Sequence, residues 1–375
     1  MTDATSHAAA RSAALSAVVS GAPSARVRLD RLWQRGRDFL GTPTAVMGGA
    51  MSWVSERHLV SAISNAGGFG VLACGSMGPD QLAAEIAGTR ALTARPFGVN
   101  LINMHPALDQ LIDVCREQAV GHVVIAGGLP SGATLRRIKD GGAKAMGFAP
   151  TLGAGRRMVK QGADALVIEG TEAGGHIGPV STTVLAQEIL PDLREVPVFV
   201  AGGIGRGEAI LSYLELGAAG VQIGTRFVCA TESIAHPNFK QAFMRASARD
   251  AQTSVQIDPR FPVIPVRALA NEGSKRFMAF QRDIIAKVDA GVMSRDEGNL
   301  EIEHFWSGAL RRAVVEGDVE TGSLMAGQSV GMVTREQPVA DILAELIAQA
   351  ESALARRPSD EASLIPMAES PVGAL

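Results

Sequence analysis

From residue 44 the chain alternates between short apolar runs and longer segments whose apolar residues recur at helical spacing. The runs cover residues 44–47, 69–73, 97–101, 122–126, 144–148, 165–168, 198–201 and 220–223. Between them, Leu82 and Ile86 stand four apart, and Leu108, Leu111 and Ile112 share one helical face ahead of Ala119. Continuous apolar runs alternating with helices indicate a parallel sheet buried on both faces. Eight such units predict an α/β fold, a closed TIM (β/α)8 barrel, in preference to an open doubly wound sheet. A dinucleotide-binding open sheet needs Gly-x-Gly-x-x-Gly after its first strand. After Met47 the chain reads Gly48-Gly49-Ala50-Met51-Ser52-Trp53 instead.

Beyond Thr225 the pattern changes. Residues 231–321 hold charged helical stretches and the segment Phe261-Pro262-Val263-Ile264-Pro265, but no further β/α unit, which predicts a helical cap inserted after strand eight. Small residues and glycine return at 323–331, and a last amphipathic helix is expected over roughly 339–355. The expected organisation is a tail and lead-in helix (1–40), the barrel (41–230), a helical cap or lid (231–321), a return to the barrel with the C-terminal helix (322–356), and a disordered Pro-, Ser- and Glu-rich tail (357–375).

Composition narrows the reading. Of 375 residues 46% are hydrophobic and only 4% aromatic, so the core must be aliphatic. The 42 glycines exceed ordinary usage, about 7%, and gather at strand ends. A net charge of −3 without a long basic run argues against nucleic acid as partner. Cys74, Cys115 and Cys229 form neither a metal-ligand spacing nor a disulfide framework, and they suit a reducing, cytoplasmic setting. No apolar run reaches the roughly 18 residues of a membrane helix. The apolar patch at 13–19 is interrupted by Ser16 and makes a poor secretory signal.

In such barrels the chemistry sits at the C-terminal strand ends. The sixth run leads into Glu169-Gly170-Thr171-Glu172-Ala173-Gly174-Gly175-His176-Ile177-Gly178. Glycines there let a ligand approach the backbone, and His176 supplies an imidazole suited to proton transfer near neutral pH. His176 is the candidate catalytic residue. The seventh run ends in Gly202-Gly203-Ile204-Gly205 and the eighth in Gln222-Ile223-Gly224-Thr225-Arg226. One glycine loop is ordinary turn chemistry. Two, after strands seven and eight, predict a phosphate site built on backbone amides.

The chain resembles the FMN-dependent nitronate monooxygenase family, formerly 2-nitropropane dioxygenases, and its relatives, the FabK-type enoyl-acyl-carrier-protein reductases. The resemblance covers roughly 41–346. It rests on Gly48-Gly49-Ala50-Met51-Ser52-Trp53, Ala66-Gly67-Gly68-Phe69-Gly70, Pro96-Phe97-Gly98-Val99-Asn100, Glu172-Ala173-Gly174-Gly175-His176, Ala201-Gly202-Gly203-Ile204, Gly224-Thr225-Arg226-Phe227 and Met325-Ala326-Gly327-Gln328. It implies FMN at the barrel mouth, against Met47, Gly48 and Gly49, hydrogen-bonded by Asn100 and lined by Glu169, Gly174 and Gly175. Gly202, Gly203, Gly224 and Thr225 would hold its phosphate, with Gln222 and Gln328 completing the cofactor shell. His176 matches the family's acid/base histidine. Many relatives carry glutamine in place of Met47 and Gly-Gly-Met in place of Gly49-Ala50-Met51.

The implied activity is nitronate monooxygenation, in which alkyl nitronates or nitroalkanes react with O2 to give a carbonyl compound and nitrite. The alternative is a FabK-type reductase of enoyl thioesters with NAD(P)H as electron donor, towards which Glu232-Ser233-Ile234-Ala235-His236-Pro237-Asn238 and the segment 317–323 incline. A flavin-free barrel that binds a phosphorylated metabolite is the third reading. All three expect a small-molecule partner and no membrane, and all accommodate a homodimer.

Overall fold

The computed structural model describes residues 24–357 except 264 and 307; the expected N-terminal tail up to 23 and the tail from 358 lie outside the described residues. The barrel strands are β1 (Val46–Gly48), β2 (Gly70–Ala73), β3 (Phe97–Ile102), β4 (His122–Ala126), β5 (Lys144–Phe148), β6 (Ala165–Glu169), β8 (Val198–Ala201) and β9 (Gly220–Ile223). All pair in parallel, in the order β1-β9-β8-β6-β5-β4-β3-β2. The circle closes where Phe69 N–H donates to Val46 O and Gly48 N–H to Phe69 O, each at 2.9 Å. This is the expected eight-stranded α/β barrel.

Helices follow the strands and begin where the sequence supplies caps. Ser131, Thr151 and Ser181 each accept a backbone N–H at the start of Gly132–Asp140, Leu152–Lys160 and Thr182–Ile189. Close approach fixes some glycines. A Cβ on Gly207 would lie 1.9 Å from Leu346 O, where Gly207–Glu215 crosses the last helix, Val339–Ala355. Phe39, from the helix Gln34–Leu40, plugs the N-terminal end of the barrel with its ring 6.1 Å from that of Phe199. Cys74, Cys115 and Cys229 are buried and free, and burial pushes each thiol up to about 12. Among the described residues no helix is long and apolar enough to cross a membrane.

Residues 231–321 hold the long helices Glu272–Asp289 and Arg295–Phe305, and also two strands, β10 (Ala251–Thr253) and β11 (Val266–Leu269). The helices enclose a small core of Phe261, Phe277, Ile284 and Ile302. The strands reach back to the barrel: β11 pairs antiparallel with β7 (Gly175–His176), placing His176 opposite Val266 and Gly175 opposite Arg267. The segment after β9 and the loop after β6 thus share one three-stranded sheet.

Candidate active site at the barrel mouth

Alternation along the strands decides which side chains enter the barrel. Leu166 faces outward, since a Cβ on Gly155 of the neighbouring helix would come within 3.3 Å of its Cδ1. Val167 and Glu169 therefore turn inward. Glu169, Ala201, Gln222 and Met47 are successive register partners across β6, β8, β9 and β1, so they form one inward row. Gly70 backs onto Val60 of the outer helix Arg57–Asn65, so its partner Phe97 also faces out and Asn100 faces in. Four of the candidate site residues thus converge inside the barrel.

Their polar groups are largely unspent. Asn100 Nδ2 donates to Val124 O at 3.2 Å. Its Oδ1, the amide of Gln222 and the carboxyl of Glu169 have no hydrogen-bond partner among the described residues. Burial raises the Glu169 carboxyl to about 8, so it is protonated at neutral pH. Beside it lies a cavity of about 210 Å3 whose apolar walls include Phe148, Ala149, Pro179, Val180 and Leu185. Met47 is fully enclosed, and Gly48 faces outward, where a Cβ would meet Ile63 Cδ1 at 2.7 Å. Gly49 instead meets the other rim: its N–H donates to Ile223 O, and a Cβ there would sit 3.2 Å from Gly224 Cα.

His176 stands on β7, with Ile177 N–H donating to Pro265 O at 3.0 Å beside it. The residue is exposed, yet the surrounding protein desolvates its ring and lowers its pKa, which favours the neutral imidazole. Gly175 takes φ +81°, a left-handed conformation that turns the chain into β7. The loop is stitched in place by residues 325–328. Gln328 N–H donates to Glu172 O at 2.9 Å, Gly327 N–H to Thr225 Oγ1 at 3.0 Å, and a Cβ on Gly174 would lie 2.5 Å from Gly327 N. Glu172 accepts from Thr182 N and Oγ1.

Arg267 is a part of the site that the motifs did not mark. It is 8% exposed; its Nε donates to Thr171 O at 2.7 Å and its Nη1 to Ala251 O at 2.6 Å. It ties the loop after β6 to the outer sheet, and burial lowers its pKa. The signal available was a charged residue at a buried position of the alternating stretch Val266-Arg267-Ala268-Leu269. His236, by contrast, is a helix cap: its Nδ1 accepts from Asn238 N–H at 3.1 Å.

A phosphate fits the two glycine loops. The N–H groups of Gly203, Ile204 and Gly224 donate to nothing among the described residues; Ile204 is buried and the two glycines half-buried, which leaves the amides available to a ligand. Gly202 and Gly203 hold φ +99° and +69°. The Thr225 hydroxyl accepts from Gly327 and keeps its own proton free to donate.

The fold defines a protein of the β/α-barrel class, with His176 and Glu169 as candidate acid/base groups and two glycine loops as a candidate anion cradle at one end of the barrel. The chain belongs to the nitronate monooxygenase family, whose profile it matches over residues 34–119 and 105–349. It is an oxidoreductase of a family that works with flavin. The structure is similar to FabK from Thermotoga maritima, with TM-score 0.77 and 34% identity, covering 86% of this chain and 97% of that one. A 5-hydroxy-7a-methyl-1-oxo-octahydro-1H-indene-4-carboxyl-CoA dehydrogenase of Mycobacterium tuberculosis is 32% identical over 330 residues, 79% of this chain and 90% of the relative. A nitronate monooxygenase of Paraburkholderia phytofirmans is 27% identical over 356 residues, 82% of this chain and 92% of the relative.

Proposed function

We propose that the protein is an FMN-dependent oxidoreductase acting on an unsaturated or dehydrogenated acyl thioester, with NAD(P)H as the second substrate. When bound, FMN supplies the two-electron chemistry that links NAD(P)H to the substrate carbons. The orphan amides of Gly203, Ile204 and Gly224, with the Thr225 hydroxyl, hold its phosphate. Asn100 and Gln222 would offer polar contacts to its ring, and Gln328 and the Gly174-Gly175 backbone would complete its shell.

The observation that carries the thioester reading is the apolar cavity beside Glu169, with the two candidate proton-handling groups at its edge. His176 is held neutral by desolvation and Glu169 is held protonated in an apolar wall. A neutral base and a neutral acid suit a neutral carbon substrate, to which a proton must be delivered or from which one must be removed. Neither offers an anionic nitronate a fixed positive charge. The apolar cavity beside Glu169 suits the hydrocarbon part of the acyl group. The relatives at 34% and 32% identity bear names of thioester chemistry, FabK and a carboxyl-CoA dehydrogenase.

Oxidation of nitroalkanes or nitronates is the second reading, favoured by the family match itself and by the relative at 27% identity. In it, neutral His176 removes the α-proton of the uncharged nitroalkane. The two readings separate in one assay series. Under the first, NAD(P)H is consumed with crotonyl-CoA in the absence of oxygen, and propyl nitronate drives little oxygen uptake. Oxygen uptake with nitronate and no thioester turnover would reverse the order.

A further inference from the structure

At the opposite end of the barrel lies a second and larger cavity, about 610 Å3, where β3, β4 and β5 begin. Strands of five or six residues, rising ~3.3 Å each, put it roughly 17–20 Å from the mouth. Its walls carry Arg90, Arg95 and Lys144, the imidazole of His122, and the apolar rings of Phe39 and Phe97, with no Asp or Glu among them.

None of the three cations has a carboxylate partner among the described residues. Arg90 Nη2 is braced on the carbonyls of Gln118 and Ala119, which fixes the guanidinium on the wall and leaves its other donors unspent. The Arg95 side chain makes no bond at all among the described residues. Lys144 Nζ donates to Phe39 O and lies 4.7 Å from the Phe39 ring centroid, so two of its three protons remain available. Asp164, whose charge acts on His122, is engaged by Lys139 at 2.7 Å and by Ala145 N–H at 2.9 Å. His122 donates through Nε2 to Phe39 O at 2.9 Å, and burial together with Lys144 holds it neutral, near a pKa of about 4.

A protein with more acidic than basic residues leaves three like charges uncompensated around one cavity. Arg90 and Arg95 are exposed and Lys144 is half-buried, so water screens their mutual repulsion, and a bound anion would lower it further. We propose that this basal cavity is a binding site for an organic phosphate of mononucleotide size, its dianion held by Arg90, Arg95 and Lys144 and its organic part filling the rest of the cavity. Guanidinium and ammonium donors lining one cavity suit a phosphate better than a single carboxylate, and the volume lies within the range of small-ligand pockets, about 300–1,000 Å3. The site is separate from the chemistry at the mouth and does not depend on which substrate is turned over there.

Isothermal titration calorimetry on the full chain, loaded with FMN at the mouth and then freed of unbound FMN so that none competes for the basal site, tests this with adenosine monophosphate as the probe. Binding of the monophosphate is expected, with adenosine or inorganic phosphate alone at least tenfold weaker. Arg95→Glu, a substitution at an exposed side chain with no hydrogen bond or ion pair among the described residues, is expected to weaken the monophosphate at least tenfold at unchanged melting temperature. Lys144→Met should weaken it as well, and raising the salt should weaken it in the wild type. The proposal is overturned if millimolar monophosphate gives no binding heat. Equal affinity for adenosine, or equal affinity in Arg95→Glu, overturns it too.

Discussion

His176 and Glu169 lie seven residues apart, and burial shifts them in opposite directions, the imidazole down and the carboxyl up to about 8. Activity that needs neutral His176 and protonated Glu169 should fall on both sides of a plateau. The acid limb lies below the ordinary histidine range and the alkaline limb near 8. Glu169→Gln should erase the alkaline limb of the kcat/KM–pH profile, and an unaltered limb would remove Glu169 from the proton pathway. The same shift makes a stability claim. A carboxyl whose folded pKa is raised stabilises the fold fully only below its unfolded value, and that contribution is lost as pH rises through about 8. Denaturant melts at pH 9 should therefore find Glu169→Gln more stable than the wild type. His176→Ala should cut turnover of a neutral substrate by about 10²–10⁴-fold while flavin stays bound. Wild-type rates in that variant would make the histidine structural.

At the scale of elements, the sheet β10-β11-β7 holds the His176 loop against the barrel, with Arg267 as its brace. Hydrogen bonds from a charged donor contribute about 1.5–3 kcal/mol each. Arg267→Met should thus raise amide exchange across 171–177 and lower kcat/KM by up to about 100-fold through misplacement, with the barrel intact. Unchanged exchange there would show that the loop holds itself. The eight barrel strands were legible in the sequence because each is a continuous apolar run ending at glycine or a polar residue. The bounds 122–126, 144–148, 198–201 and 220–223 agree with the structure, whereas the first strand begins two residues late. Thr44 spends its N–H and hydroxyl on Gly67 O before the ladder begins. The pairing of β7 was not legible, since two residues, Gly175 and His176, carry no periodicity. Nor were β10 and β11, which are three and four residues long and form a sheet only because β11 pairs with β7, some ninety residues earlier. The candidate site was legible where it is made of glycine loops and hidden where it depends on this long-range pairing.

Over the whole molecule, one end of the barrel is plugged by Phe39 and the other gathers the unspent polar groups of Asn100, Glu169 and Gln222 with the free amides of Gly203, Ile204 and Gly224. Ligand at that end should stabilise the fold by mass action, so added FMN should raise the melting temperature of flavin-depleted protein. Gly224→Val should abolish that rise, because its Cβ branch enters the space before Met51 where the cradle opens. A full rise in Gly224→Val would move the phosphate elsewhere. The central claim is that this mouth joins NAD(P)H to a thioester through FMN, and anaerobic titration of the purified protein tests it most directly. NAD(P)H should bleach the visible flavin absorbance, and crotonyl-CoA added afterwards, still without oxygen, should restore it. A colourless protein, or a flavin that stays bleached until oxygen is admitted, would contradict the account.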